Sequence, residues 1–221
     1  MEYVICDDYN VDWLAEANVI KNSRKSCLDL ISCFDIETTA IPEIEQSVMY
    51  IWQWIIGNKV YVGRTWADFK TLVDNIERVA PAQLIVYVHK LAYEISFLKG
   101  ILNFRSEDIF VMKGRRVLKA DYGAIQFRCS YMLTNLSLGA LCKQLKPEHV
   151  KTEMSYDELR FSDTKLTDDE FKYCIMDVIS LAECLTKLLE ENNDTLLTVP
   201  LTATGYARKD ARSIFLAKEI C

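Results

Sequence analysis

The chain has 221 residues, with 26 Lys and Arg against 32 Asp and Glu, for a formal net charge of −6, and half of its residues are hydrophobic. This length and balance suit one large or two small globular domains, and 7 Gly and 4 Pro are too few for a collagenous or Pro/Gly-rich disordered chain. The longest apolar stretches stop short of the ~18 residues that a membrane span needs. Glu2, Asp7, Asp8 and Asp12 leave no basic start for a signal peptide. The chain therefore reads as soluble and cytosolic, with no membrane partner.

In chain order, residues up to about Asn22 read as a short strand and a loop. Leu28–Asp35 is expected to be a buried strand ending in carboxylates and threonines, and Val48–Ile56 a second strand. Gly57-Asn58 turns the latter into a third strand, Lys59–Val62, which makes an antiparallel meander. Phe69, Leu72, Val73 and Ile76 recur at helical spacing within 66–79. Leu84–Val88 is a fourth strand, and Tyr93 to Leu102 a second helix. Two further β stretches, Ile109–Met112 and Ala124–Cys129, flank the basic turn at Lys113-Gly114-Arg115-Arg116. A helix follows Ser137, and a long one runs from about Thr167 to Glu191, opened by a Thr167/Glu170 capping box. Strands in a meander followed by alternating helices and strands predict an α/β mixed sheet flanked by helices, compatible with a ribonuclease H-like core.

The eight cysteines show no CxxC pair and read as reduced thiols packed as small hydrophobes. The carboxylates say more. Asp35 and Glu37 stand two apart on a strand, so both aim to one face. Oxygen ligands so placed favour Mg²⁺ or Mn²⁺. A second group, His89-Lys90-Leu91-Ala92-Tyr93-Glu94, follows the fourth strand, and Tyr173 and Asp177 stack on one helix face.

Asp35-Ile36-Glu37, Tyr93-Glu94 and Tyr173-x-x-x-Asp177 resemble the three motifs of DEDDy 3′–5′ exonucleases. More closely, about residues 30–215 resemble the proofreading domain of protein-primed phage family B DNA polymerases. Thr38 and Thr39 continue the first motif, His89 and Leu91 belong to the second, and Ser137-Leu138 resembles a motif that contacts single-stranded DNA and terminal protein. Lys151, which lies 22 positions before Tyr173, stands where the family has a catalytic lysine, and Tyr156 matches a neighbouring tyrosine. Two positions depart from the pattern: Glu94 replaces the usual Asp, and Lys90 replaces an asparagine.

The resemblance implies a DEDD exonuclease fold and two cations, Mg²⁺ or Mn²⁺, held by Asp35, Glu37, Glu94 and Asp177. Tyr173 would orient the attacking water, and Lys151 would face the scissile phosphate. Thr38, His89, Lys90, Leu91, Tyr93, Phe97, Ser137, Leu138 and Tyr156 would hold the strand. The expected activity is removal of nucleotides from single-stranded DNA 3′ ends, with a polymerase domain or terminal protein as partner, in the host cytoplasm for a phage-encoded chain. A weakened, strand- or protein-binding remnant and a 3′–5′ exoribonuclease are the alternatives. Residues 1–30 are expected as an N-terminal extension, 31–195 as the exonuclease domain, and 196–221 as the start of a bridge towards a polymerase domain whose own motifs do not occur in the chain.

Overall fold

The computed structural model describes residues 2–114, 116–150 and 158–219. In chain order, the first strands are β1 (Val4–Ile5), β2 (Val19–Lys21), β3 (Ser26–Leu28), β4 (Ser32–Ile41), β5 (Gln46–Ile56) and β6 (Lys59–Gly63). Helix α1 (Trp66–Val79), β7 (Leu84–Val88) and α2 (Leu91–Leu98) follow. Then come β8 (Ile109–Met112), β9 (Arg116–Tyr122), β10 (Ile125–Cys129), α3 (Ser130–Thr134), α4 (Leu138–Leu145), α5 (Asp168–Glu191) and α6 (Ala203–Glu219).

Eight strands form one sheet in the order β1-β6-β5-β4-β7-β10-β9-β8, and β2 and β3 pair separately. β4, β5 and β6 are the expected antiparallel meander, while β7 joins β4, and β10 joins β7, in parallel. This arrangement, with β4 central and β5 antiparallel to it, is the expected mixed sheet, ribonuclease H-like in its strand order and directions. The turn between β5 and β6 places Gly57 at φ 62°, a left-handed backbone that glycine adopts without a Cβ clash. At the end of β6, a Cβ on Gly63 would sit 2.3 Å from the Trp52 ring, so only glycine fits there.

Alternation along the strands makes two cores. On one face Phe34, Ile36, Trp52, Trp54 and Phe127 pack with Phe69, Leu72 and Ile76 of α1 and Leu91, Ile95 and Leu98 of α2. Phe69 stacks on Trp54 with ring centroids 5.8 Å apart. Burying each such side chain stabilises the fold by ~1.5–3 kcal/mol. On the other face Cys33, Ile55, Ile85 and Tyr87 meet Leu141 and Leu145 of α4 and Ile175, Val178, Ile179 and Ala182 of α5. The sheet is thus a middle layer between helices.

Several local expectations hold to the residue. α1 spans Trp66–Val79, β7 spans Leu84–Val88, and the Thr167/Glu170 capping box opens α5 with both of its reciprocal bonds. Others shift. The first predicted strand splits into β3 and a β4 that runs on to Ile41, so Asp35 and Glu37 lie within a strand rather than at its end. The predicted second helix starts two residues earlier and ends at Leu98. β9 was not anticipated; its Lys119, Asp121 and Tyr122 are only partly buried, which blurs the strand signal.

Residues 2–30 pack into the main fold. Val11, Leu14 and Leu28 are buried in the first core, and β1 pairs with β6. Among the described residues, no cysteine is joined in a disulfide, and all but Cys6 are buried as small hydrophobes. Among the described residues no helix is long and apolar enough to cross a membrane.

Candidate active site

Because Cys33 faces the α5 side of the sheet, period-two alternation sends Asp35 and Glu37 the same way. Asp35 pairs across the ladder with Gln53, and the buried Gln53 amide donates to Asp35 Oδ2 at 3.0 Å. Between Glu37 and Thr38 the register shifts by a bulge, a device that re-aims side chains. Beyond it, Thr38 Oγ1 lies 2.6 Å from the Tyr93 hydroxyl of α2. Thr39 Oγ1 donates to the Arg160 carbonyl at 2.7 Å, and Arg160 pairs with Glu170 at 2.6 Å. This ties the end of β4 to the start of α5.

α5 crosses β4 and β5 and brings Tyr173 and Asp177, one turn apart, onto the same cleft. The carboxylate oxygens of Asp35, Glu37 and Asp177 come within 4.8 Å of one another. Glu37 and Asp177 are buried, and Asp35 is partly exposed. Three anions so close repel unless a cation neutralises them.

Glu94 completes the acidic set. It sits in the first turn of α2, 4% exposed, and its Oε2 is buried without a hydrogen-bond partner among the described residues. Burial pushes its carboxyl up to about 8; Lys90 opposes this shift and Glu37 adds to it. An all-oxygen donor set with a buried, unsatisfied carboxylate oxygen fits a hard divalent cation.

The cleft encloses about 460 Å³. Besides the four carboxylates and Tyr173, its walls include His89, Lys90, Tyr93, Ser137 and Leu138. His89 Nδ1 lies 3.1 Å from Ser130 Oγ, and the imidazole stands edge-on to Tyr131. Lys90 is exposed at the N-cap of α2, where its side chain makes no cap hydrogen bond. Ser137 caps α4, accepting from the Ala140 N–H at 3.3 Å, so it is both a helix cap and part of the wall.

Not every residue singled out from the sequence reaches the cleft. The Leu91 side chain is fully buried in the first core and does not line the cleft. Phe97 packs on Trp66, centroids 6.5 Å apart, and against Tyr93 rather than lining the cleft. Lys151, Tyr156 and Arg115 lie outside the described residues. Sequence reasoning missed Gln53, Gly139 and Leu181. The last two continue α4 and α5 along the same wall, and Leu181, four residues after Asp177, was open to an i, i+4 argument.

No protein-family model matches the chain, and no curated protein matches it in sequence. Among solved structures, it is similar to phi29 DNA polymerase complexed with primer-template DNA and incoming nucleotides, with a TM-score of 0.69 and 15% identity over 86% of this chain and 35% of that one. It is similar also to phi29 DNA polymerase complexed with single-stranded DNA, with a TM-score of 0.69 and 16% identity over 86% of this chain and 36% of that one. The chain spans about a third of the length of these polymerase chains. The likeness is one of fold.

Proposed function

We propose that the chain is a divalent-metal-dependent 3′–5′ exonuclease that removes nucleotides from the 3′ end of single-stranded DNA, in the manner of a proofreading domain. The observation that carries this reading is the convergence of Asp35, Glu37 and Asp177 from a strand and a helix far apart in sequence, oxygens within 4.8 Å. Two Mg²⁺ or Mn²⁺ ions are the cofactors in this reading, with Asp35, Glu37, Asp177 and Glu94 as the residues that would hold them. When bound, such ions supply charge neutralisation at the attacking water and the leaving oxygen of an in-line displacement.

The chain's own side chains do the positioning. Tyr173 holds the water through its hydroxyl, which can both donate to it and accept from it. Tyr93, steadied by Thr38, offers a ring for the terminal base, a contact worth ~1–3 kcal/mol. His89, Lys90, Ser137 and Leu138 flank the strand. By resemblance to the family, Lys151 would offset charge growing on the scissile phosphate, and Tyr156 matches the family's neighbouring tyrosine. Residues 31–195 are the catalytic unit in this reading, with 196–221 leading from it.

The fold shared with phi29 DNA polymerase supports DNA as the substrate, and the motif resemblance supports a polymerase domain or terminal protein as partner. The test is incubation of the purified chain with 5′-labelled single-stranded DNA or RNA and Mg²⁺ or Mn²⁺. A ladder shortening from the 3′ end of DNA, abolished by EDTA, is the expected result. Metal-independent cutting, degradation from the 5′ end, or a preference for RNA would overturn it.

A further inference from the structure

A second groove of about 530 Å³ adjoins the carboxylate cleft, and Lys90 and Tyr93 belong to the walls of both. Its other walls include Arg116 at the start of β9 and Tyr131, Met132 and Asn135 around α3. Lys90 and Arg116 are exposed, and no carboxylate lines the groove among the described residues. Neither cation belongs to an ion pair among the described residues. Tyr93 and Tyr131 are 43% and 39% exposed. The acidic chain thus sets two cations and two open aromatic rings directly beside the carboxylate cleft.

That combination matches one kind of ligand, a flexible polyanion carrying flat apolar rings. We propose that this groove holds the nucleotides upstream of the two at the 3′ terminus, with phosphates against Lys90 and Arg116 and a base stacked on Tyr131. The proposal rests on the exonuclease reading for the position of the terminus in the cleft. Continuity through Lys90 and Tyr93 then gives the strand its path, and it assigns Arg116 and Tyr131 to substrate length rather than to hydrolysis.

Arg116→Ala, Tyr131→Leu and Tyr131→Phe test it in two assays. The first is hydrolysis of the p-nitrophenyl ester of thymidine 5′-monophosphate with Mn²⁺, a substrate short enough to occupy the cleft alone. The second is fluorescence anisotropy of labelled dithymidylate and hexathymidylate with Ca²⁺ across a salt series. Tyr131→Leu should weaken hexathymidylate binding about tenfold, the loss of one stacked base, and Tyr131→Phe should restore it. Arg116→Ala should weaken it too and lower the salt slope by about 0.7, one single-strand phosphate contact. Ester hydrolysis and dithymidylate binding should not change in any variant. Unchanged hexathymidylate affinity and salt slope would overturn the proposal, as would equal losses for both oligonucleotides. A parent chain that cuts neither ester nor DNA, yet whose variants lose hexathymidylate affinity as stated, would overturn the nuclease reading and support the groove.

Discussion

The Thr38 hydroxyl and the Tyr93 hydroxyl meet at 2.6 Å, joining the strand that carries Asp35 and Glu37 to the helix that carries Glu94. The bulge after Glu37 is what turns Thr38 to this partner. Both residues are partly exposed, so the bond holds a ring in place more than it holds the fold together.

Tyr93→Phe should therefore change stability by less than about 1.5 kcal/mol, while the KM for single-stranded DNA rises and kcat holds. Thr38→Val should reproduce the effect, and the double variant should be no worse than either single one, since both remove the same bond. Steady-state kinetics on a short oligonucleotide checks this. Additive losses would show that the two side chains act separately.

Asp35→Ala and Asp177→Ala should each lower nuclease activity by at least about a hundredfold, the range for losing one group that stabilises transition-state charge. In EDTA both should melt at a higher temperature than the parent, because each relieves repulsion within a set of oxygens that lie within 4.8 Å of one another. Melting curves with and without Mn²⁺ decide. A parent that outlasts both variants in EDTA would mean that repulsion does not dominate the site.

Glu94 gives the metal-free chain a pH dependence with a definite sign. Its carboxyl lies at about 8 in the fold, through burial above all, and at about 4.3 when unfolded. A raised folded pKa means that the native state binds the proton more tightly. Its contribution to stability is therefore complete below about pH 4 and is lost as pH rises through 8. In EDTA the melting temperature should fall from about pH 4 to about pH 8 and level off above it, and Glu94→Gln should flatten that fall. Identical slopes in parent and variant would refute the assignment.

Lys90→Asn changes two things at once. Lys90 occupies the N-cap of α2 without a capping bond, and asparagine is a preferred cap worth ~0.5–2 kcal/mol. The variant should melt higher. At saturating DNA its single-turnover rate should rise by more than that of Glu94→Asp, because an asparagine can hydrogen-bond a terminal sugar and base, while DNA affinity and its salt slope fall with the lost Lys90–phosphate contact. Slower cutting with an unchanged salt dependence of DNA affinity would sink this prediction.

What the residues determined on their own was local. Apolar spacing and flanking residues place α1 and β7 to the residue, the Thr167/Glu170 box starts α5, and strand alternation aims Asp35 and Glu37 together. Helix periodicity likewise sets Tyr173 and Asp177 on one face. Each of these follows from neighbours a few positions apart, whose geometry the backbone itself dictates. Tertiary structure decided which of several similar side chains meets the cleft. Leu91 and Phe97 share a short helix with Tyr93 and Glu94, yet the first core takes Leu91, and Trp66 takes Phe97. Gln53 reaches Asp35 because β5 pairs with β4 in one register, and Glu94 is shifted because the cleft closes around it. Those outcomes depend on which surfaces cover which across long stretches of chain, and burial across such distances sets both contact and charge.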